Sequence, residues 1–340
     1  MRFGLIGCGD IGQLRAQALA ESPGLSLFAV SDVDEARART LGEQHKAMWL
    51  TDWRKLLDEP LDAVIVSTPP PLHEAMCVAA LQSGKHVLCE KPLARSPEEG
   101  RRIVEAAQAA GRHLGTGFNY RFYPAIAEAR RILDSGQIGE LAYVRSYAGH
   151  PGGSEFTHPW VHDVKVMGGG ALLDNGIHVL DLTRYFLGEV AEVKGFRTNG
   201  VWGFEGCEDN AFLLLRNHDG RIAQVQASWT EWRGYRFWVE VFGTRGCLRA
   251  SYPPMLLRVT WSEITGGPAQ SKLHLFPAFQ VKERLKSYRW TCVQSFVAEF
   301  DAFVRAARGE KTQGATGLDG LRAVEIAHEV YRSSAGSTGF

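Results

Sequence analysis

The chain carries Gly7-Cys8-Gly9-Asp10-Ile11-Gly12 directly after the short apolar run Arg2–Ile6, and a segment of helical periodicity follows. A G-x-G-x-x-G motif between a strand and a helix is typical of Rossmann domains, which bind a dinucleotide. The first glycine permits a tight turn, the second lets the backbone approach the phosphates, and the third allows close packing of helix on strand. Free N–H groups at the helix N-terminus then face the pyrophosphate. The motif predicts these dinucleotide contacts: Gly7, Gly9, Asp10, Ile11 and Gly12.

Asp32 supports this interpretation, because it lies twenty positions after Gly12 at the end of the second predicted strand. A carboxylate at that place accepts hydrogen bonds from the adenosine ribose 2′-hydroxyl and repels a 2′-phosphate. The sequence therefore favours NAD over NADP as the cofactor. The alternative is a glycine-rich turn followed by an aspartate that caps a loop, a role that Asp34 fits equally well.

Short apolar runs alternate with helical patterns over the first third of the chain. This alternation is typical of βαβ units that build a parallel sheet. The predicted strands are Arg2–Ile6, Leu25–Ser31, Ala63–Ser67, His86–Cys89 and His113–Gly117. The predicted helices are Ile11–Glu21, Val33–Leu41, Trp53–Leu57, Leu72–Ser83 and Ser96–Ala110.

The pattern changes after Asn119. A continuous helix is predicted over Ala171–Phe186, and repeated strand-like stretches joined by turn signals follow from Val190 to about Leu275. Two amphipathic helices come last, at Thr291–Arg308 and Gly317–Ser333.

The predicted fold class is α/β, with two domains. Residues 1–119 form an NAD-binding Rossmann domain with a doubly wound parallel sheet. Residues 120–340 form an α/β domain with a large, mostly antiparallel open sheet, assigned to substrate binding and oligomerisation. The C-terminal helices of this second domain are candidates to pack back on the Rossmann domain.

The composition excludes several other classes of protein. Lys plus Arg (38) balance Asp plus Glu (38), which argues against nucleic acid as a partner because binding a polyanion usually leaves a strong basic excess. The six cysteines are scattered without a C-x-x-C pair, which indicates single thiols in a reducing compartment, the cytoplasm. Met1–Asp10 is too short and too soon interrupted for a signal peptide, and no apolar run of about 18 residues predicts a membrane span.

Two more loops follow predicted strands, where ligands of open α/β sheets bind. In the first, the cofactor candidates are Thr68, Pro69 and His73, although prolines that end a strand and a histidine that packs at a helix start explain the loop equally well. In the second, Glu90 and Lys91 precede a proline and are further cofactor candidates, and the lysine is also placed to donate hydrogen bonds to a substrate hydroxyl. A solvated Lys91 paired with Glu90 is the structural alternative.

A run of three glycines, Gly168 to Gly170, precedes the predicted helix that carries Asp174 and His178 at i and i+4. An imidazole with a carboxylate one turn away takes up a proton near neutral pH, with the carboxylate orienting or charging the ring. A purely structural pair remains open. The same spacing also suits a metal, but no third ligand is evident and no metal is predicted.

Several motifs occur in a characteristic order along almost the whole chain: G-C-G-D-I-G, T-P-P-P-L-H, E-K-P, G-F-N-Y-R-F-Y-P, G-G-G-A-L-L-D-N-G-I-H-V-L-D and D-G-L-R-A-V-E-I-A-H-E-V-Y-R-S-S. This series resembles the glucose-fructose oxidoreductase, inositol dehydrogenase and MocA-like family. The resemblance implies a Rossmann domain, a second domain whose open sheet forms a homodimer or homotetramer interface, and an active site between them. Each motif alone is weak, whereas the ordered series is specific.

The resemblance also implies residue roles in the oxidation of a secondary alcohol on a sugar or cyclitol. Lys91 matches the lysine of the E-K-P signature, and Asp174 and His178 match the catalytic acid and histidine. His178 would accept the hydroxyl proton, Lys91 would hold the oxygen, and Asp174 would fix the histidine or a neighbouring hydroxyl. Candidate substrate contacts, each of which packing explains equally well, are Asn119, Tyr120, Arg121, Trp160, His162 and Lys165. Family members often carry Trp-Arg where this chain has Trp160 and Val161, so the substrate is left open.

Three functions follow from these residues. The favoured one is an NAD-dependent dehydrogenase of a sugar, a sugar derivative or inositol. The second is a glycoside hydrolase that oxidises its substrate transiently with tightly held NAD, and the third is a non-catalytic dinucleotide-binding protein. A free polyol or sugar that yields net NADH identifies the first, and aglycone release without net NADH identifies the second.

Overall fold

The computed structural model describes residues 1–153 and 159–334. Up to Phe122, short strands alternate with helices. The strands are β1 (Arg2–Ile6), β2 (Ser26–Ser31), β3 (Met48–Leu50), β4 (Ala63–Val66), β5 (His86–Cys89) and β6 (Leu114–Thr116). The helices are α1 (Asp10–Ala20), α2 (Glu35–His45), α3 (Trp53–Leu56), α4 (His73–Gln82) and α5 (Pro97–Ala110).

The rest of the chain contains longer strands and the last six helices of the described residues. First come α6 (Pro124–Asp134), β7 (Leu141–Gly149), α7 (Val164–Met167) and α8 (Ile177–Leu187). The strands that follow are β8 (Val190–Thr198), β9 (Asn210–Asn217), β10 (Ile222–Ser228), β11 (Arg236–Gly243), β12 (Gly246–Tyr252), β13 (Leu256–Trp261) and β14 (Gln270–Leu275). The last helices are α9 (Pro277–Lys286), α10 (Tyr288–Ala307) and α11 (Gly317–Ser334).

The chain folds into two compact units. The first comprises Met1–Phe122 with Glu283–Val324, and the second comprises Tyr123–Lys282 with Glu325–Phe340. Helix α10 therefore belongs to the first unit, although it follows the whole second sheet in the sequence.

The first unit contains a six-stranded parallel sheet in the order β3-β2-β1-β4-β5-β6. This is the strand order of a doubly wound Rossmann fold, and it confirms the fold predicted for this part of the chain. The order places β1, β4 and β5 side by side. Because all three strands run parallel, the loops that follow them lie along the same edge of the sheet.

Two hydrophobic clusters pack against this sheet. Successive residues of β4 alternate between them, with Val64 in one cluster and Ile65 in the other, so the clusters cover opposite faces. Helices α4 and α5 contribute to the first cluster, whereas α1 and α10 contribute to the second. The Phe3 ring lies 5.7 Å from the ring of Phe300 on α10. Helix α10 thus completes the core on one face of the Rossmann sheet.

The second unit contains an eight-stranded sheet in the order β14-β13-β12-β11-β7-β10-β9-β8. Its strand pairs are antiparallel except for β7 with β10, which confirms the prediction of a large, mostly antiparallel sheet. Alternation along β9 buries Leu213 and Leu215 and exposes Phe212 and Leu214. One face of the sheet is therefore buried within the unit and the other is open.

Two local predictions are wrong. β3 was not predicted, because a three-residue edge strand whose Met48 and Trp49 are partly exposed is too short to show alternation. The continuous helix over Ala171–Phe186 is a π-helical turn, Leu172–Gly176, followed by α8. A Cβ on Gly176 would clash with the Ala227 side chain on β10, so this turn is packed directly on the sheet. A single turn of changed pitch does not alter the apolar pattern from which helices are predicted.

None of the six cysteines, all of which lie among the described residues, forms a disulfide bond. Within residues 1–153 and 159–334, the helices are too short or too polar to cross a lipid bilayer. The same described residues contain no group of three metal-ligating side chains.

Candidate active site

The loop between β1 and α1 has the geometry that a dinucleotide requires. Gly7 has φ +97°, and a Cβ there would lie 2.6 Å from the Ser67 carbonyl oxygen, so only glycine fits without strain. A Cβ on Gly12 would clash with the Gly7 carbonyl. At Gly9, by contrast, the Cβ position is open, and this residue provides no side-chain cap for α1. The open backbone and the uncapped N–H groups fit a pyrophosphate.

Asp32 holds this loop from the end of β2. Its Oδ2 accepts a hydrogen bond from the Cys8 amide at 2.7 Å, and its Oδ1 accepts one from the Asp34 amide at 3.0 Å. Asp34 in turn caps α2 through the Arg37 amide. The two aspartates therefore have different tasks, and the carboxylate of Asp32 is fixed beside the glycine loop, where a ribose hydroxyl is expected. Asp10 and Ile11, the first residues of α1, are exposed at the same end of the helix.

His73 lies deeper than a cofactor contact requires. Its Nδ1 lies 3.0 Å from the Pro92 carbonyl oxygen, its Nε2 lies 2.8 Å from the Thr68 carbonyl oxygen, and the side chain is fully buried. Burial lowers the pKa of this imidazole. The ring ties the loop after β4 to the loop after β5, which favours the packing alternative for His73. Thr68 and Pro69 are partly exposed in the first of these loops.

Lys91 is partly exposed in the loop after β5, and its peptide bond to Pro92 is cis. Its backbone N–H donates to Oε2 of Glu90 at 3.3 Å. Glu90 has a second partner besides Lys91, because its Oε1 accepts a hydrogen bond from Nε of the buried Arg15 at 2.7 Å. The sheet order brings this loop to the edge that carries the glycine motif.

The turn after β6 carries three of the predicted substrate contacts. Asn119 is buried, and its amide nitrogen donates to the Ser295 hydroxyl on α10 at 2.8 Å. Arg121 is also buried, and its Nη2 lies 3.5 Å from Oδ1 of Asp319. These contacts favour packing roles for Asn119 and Arg121, whereas Tyr120 is partly exposed.

In the second unit, the π-helical turn presents Asp174. Its Oδ2 lies 3.1 Å from Nε2 of His150 and 3.1 Å from Nε1 of Trp229. Nδ1 of His150 accepts from the Gly152 amide, so the ring hydrogen is assigned to Nε2, which donates to Asp174. The carboxylate is thereby held by two donors. His150 and Trp229 were missed by the sequence analysis, since they lie 24 and 55 residues from Asp174 along the chain.

His178 lies in the first turn of α8 and is buried. Because the pitch changes between the π turn and α8, the i, i+4 relation of a regular α-helix does not describe Asp174 and His178. The predicted pairing of these two side chains stays a prediction.

A buried carboxylate explains the glycines that precede this turn. Glu208 accepts hydrogen bonds from the Gly170 and Leu172 amides, both at 2.8 Å, and from the Tyr331 hydroxyl at 3.0 Å. Burial raises the pKa of Glu208. A Cβ on Gly169 or Gly170 would clash with Tyr331 or with the Glu208 backbone. The glycines therefore form a tightly packed entry to the π turn.

The remaining candidates occupy a short segment of the same unit. Trp160 and His162 lie in a 3-10 turn, Pro159–His162. The His162 ring stacks on the Phe204 ring, with 4.1 Å between the ring centroids. Lys165, in α7, is exposed.

Comparison with known proteins agrees with these observations. Residues 1–118 match the family model described as "Oxidoreductase family, NAD-binding Rossmann fold", and residues 126–249 match "GFO/IDH/MocA C-terminal domain". Inositol 2-dehydrogenase 2 of Saccharopolyspora erythraea is 32% identical over 99% of this chain and 94% of its own length.

Two solved structures are similar over nearly their whole length. An NAD-binding oxidoreductase from Klebsiella pneumoniae has a TM-score of 0.87 at 26% identity, covering 98% of this chain and 96% of that one. Levoglucosan dehydrogenase in complex with NADH has a TM-score of 0.88 at 25% identity, covering 99% of this chain and 97% of that one. The cofactor prediction, NAD, is confirmed. The chain belongs to the GFO/IDH/MocA family of oxidoreductases.

Proposed function

We propose that this protein transfers hydride between a secondary alcohol of a sugar, a sugar derivative or an inositol and the nicotinamide of NAD. The observation that carries the proposal is the carboxylate of Asp174, held by His150 and Trp229 in the π turn that leads into His178. Relatives named inositol 2-dehydrogenase and levoglucosan dehydrogenase support this substrate class.

The chain's own residues divide the work. NAD, when bound, supplies the hydride acceptor. His178 accepts the proton of the reacting hydroxyl, and the Lys91 ammonium donates a hydrogen bond to the same oxygen and stabilises its developing negative charge. Asp174, fixed by two donors, orients the histidine or a neighbouring hydroxyl. The contribution of the protein is placement of these groups, because hydride chemistry belongs to the cofactor.

The two alternatives are not favoured. A glycoside hydrolase that acts by transient oxidation uses the same hydride step, but the relatives described above are named as dehydrogenases. A non-catalytic dinucleotide-binding protein needs none of Lys91, Asp174 and His178, all of which are present.

We further infer that the open face of the second sheet binds a second copy of the chain. Exposed apolar residues lie on four neighbouring strands of this face: Tyr143, Phe196, Phe212, Leu214 and Ile222. Phe196 is 73% exposed and lies opposite Phe212 in the register. Several exposed apolar side chains on one face of a sheet are typical of a subunit interface.

The experiment that tests the function is a screen for NADH formation with polyols, free sugars, sugar phosphates and nucleotide sugars, including myo-inositol and levoglucosan. We expect net NADH with at least one cyclitol or sugar and a much weaker response with NADP. Release of an aglycone from an aryl glycoside without net NADH would establish the hydrolase instead. Binding of NADH without turnover of any compound would favour the non-catalytic protein.

A further inference from the structure

A buried arginine connects the dinucleotide helix to the lysine loop. Arg15 lies on α1, one turn beyond the glycine motif, and has no exposed surface. Its guanidinium pairs with Glu90, where Nη2 to Oε1 is 2.6 Å, and with Glu299 on α10. The group of Arg15, Glu90 and Glu299 is called the arginine bridge below.

The packing around the arginine bridge leaves little freedom. The guanidinium carbon lies 3.7 Å from the centroid of the Phe296 ring, on the same helix as Glu299. A Cβ on Gly117 would lie 2.8 Å from Nη2 of Arg15 and 3.0 Å from Oε2 of Glu90. Gly117 therefore packs directly against Arg15 and Glu90, and a larger residue at this position would displace them. A guanidinium offers five donors in a planar fork, which no other side chain reproduces.

The bridge reaches Lys91 through one residue. Glu90 is fixed to the sheet by its backbone N–H, which donates to the Val66 carbonyl at 2.9 Å, and its side chain is fixed by Arg15. Its other oxygen, Oε2, accepts the backbone N–H of Lys91. The orientation of the Glu90 carboxylate therefore affects the start of the loop from which the Lys91 ammonium extends.

Stability of the fold alone does not explain this arrangement well. Two carboxylates share one guanidinium in the core, and Oε1 of Glu299 is buried without a hydrogen-bond partner among the described residues. Buried ion pairs of this kind are often matched or exceeded in stability by apolar side chains of similar volume. A role in orienting a neighbouring functional group accounts for their presence.

We propose that Arg15 and Glu299 are positioning residues, which hold Glu90 so that the loop after β5 presents Lys91 in its reactive orientation. The inference rests on the proposed function only in naming Lys91 as the group that acts on substrate. Arg15 and Glu299 touch neither substrate nor reacting atoms in this role.

Two conservative variants test the bridge. Arg15→Lys keeps the charge but loses the fork, and Glu299→Gln keeps the shape but loses the charge. Arg39→Gln is the matched control, because Arg39 makes an exposed ion pair with Glu43 on α2. For each variant we would use mass spectrometry to measure the rate at which an amine-reactive reagent modifies Lys91. NADH affinity, kcat and KM would be measured alongside.

For Arg15→Lys we expect kcat to fall about tenfold and the Lys91 modification rate to change severalfold, with KM for the sugar changing much less. Glu299→Gln should show the same pattern more weakly, and Arg39→Gln should behave as the native protein. If both bridge variants fold and leave the Lys91 modification rate and kcat within about twofold of native, the proposal is wrong. Should Arg15→Lys fail to fold, Glu299→Gln decides by the same criterion.

Failure of the proposed function is distinguishable from failure of this inference. Native turnover in Lys91→Ala would remove the catalytic role of the lysine, while the modification rate of Lys91 in the bridge variants still reports its positioning.

Discussion

The two units build their parts of the candidate site in different ways. In the first unit, the glycine loop, Asp32 and Lys91 all follow strands of one parallel sheet, so the local sequence is enough to place each of them at a strand end. In the second unit, Asp174 is held by His150 and Trp229, which come from different parts of the chain. The difference shows that a cofactor site at strand ends can be predicted from the local sequence. A site whose residues come from distant strands cannot be predicted in this way.

The largest expected effect is in the groups proposed to touch the reacting oxygen. Lys91→Ala and His178→Ala should each lower kcat by about 10²–10⁴-fold, because each removes a proton or charge contact made in the transition state. NADH affinity, measured by fluorescence titration, should stay close to native. Near-native turnover in either variant would remove that residue from the mechanism.

Glu299 offers a test of the first unit by pH. Burial is the main cause that raises its pKa from 4.5, the value of an ordinary glutamate, to about 7. Arg15 and Arg121 oppose this shift, and the Glu90 carboxylate adds to it. The folded chain therefore binds this proton more tightly than the unfolded chain. The Glu299 contribution to the free energy of unfolding is greatest below about pH 4.5 and falls by roughly 3 kcal/mol as the pH rises to about 7.

The control for this effect is Glu299→Gln, which cannot titrate. Between about pH 5 and pH 8, its unfolding free energy in urea should improve relative to that of the native protein by up to roughly 3 kcal/mol. A difference that stays constant across this range would contradict the burial of a titrating Glu299.

In the second unit, His150→Gln and Trp229→Phe should each lower kcat by about tenfold, because Asp174 loses one of its two donors. The double variant should lose less than the product of the two single losses, since both donors act on one oxygen. Independent, multiplicative effects in this kinetic cycle would show that the two residues do not act through Asp174.

The smallest expected effect is on cofactor choice. Asp32→Ser should weaken NAD binding severalfold and relax the exclusion of NADP, because a carboxylate beside the 2′-position is lost. The ratio of the kcat/KM values for NAD and NADP measures the cofactor preference. An unchanged ratio in Asp32→Ser would contradict the proposal that Asp32 selects NAD over NADP.

The sequence predicts much of the first unit because its signals are local. Glycines with a positive φ or a close approach, as at Gly7 and Gly12, are required by the turn itself, and the strand ends follow from short apolar runs. The arginine bridge was not predicted, since Arg15 and Glu299 are separated by 284 residues and each appears in an ordinary helical pattern. An alternating or helical pattern reports which face is buried, but not which distant side chain covers it.

In the second unit, the sequence predicts a regular helical relation between the candidate residues Asp174 and His178. The structure replaces it with a π turn, set by the packing of Gly176 on β10 and by Glu208, which binds the amides of Gly170 and Leu172. His73 shows the opposite case, because its place after a strand suggested a cofactor contact while its ring is buried with both nitrogens within 3.0 Å of backbone carbonyl oxygens. Position after a strand identifies the loop, and the direction of each side chain depends on contacts with other segments.

The most direct test uses a sugar or cyclitol that carries deuterium on the carbon to be oxidised. After incubation with NAD, mass spectrometry of the reduced cofactor should find the deuterium on NADH in the native protein and almost no labelled NADH with His178→Ala. Unlabelled NADH, or deuterium released to water, would show that the alcohol carbon does not pass hydride directly to the nicotinamide.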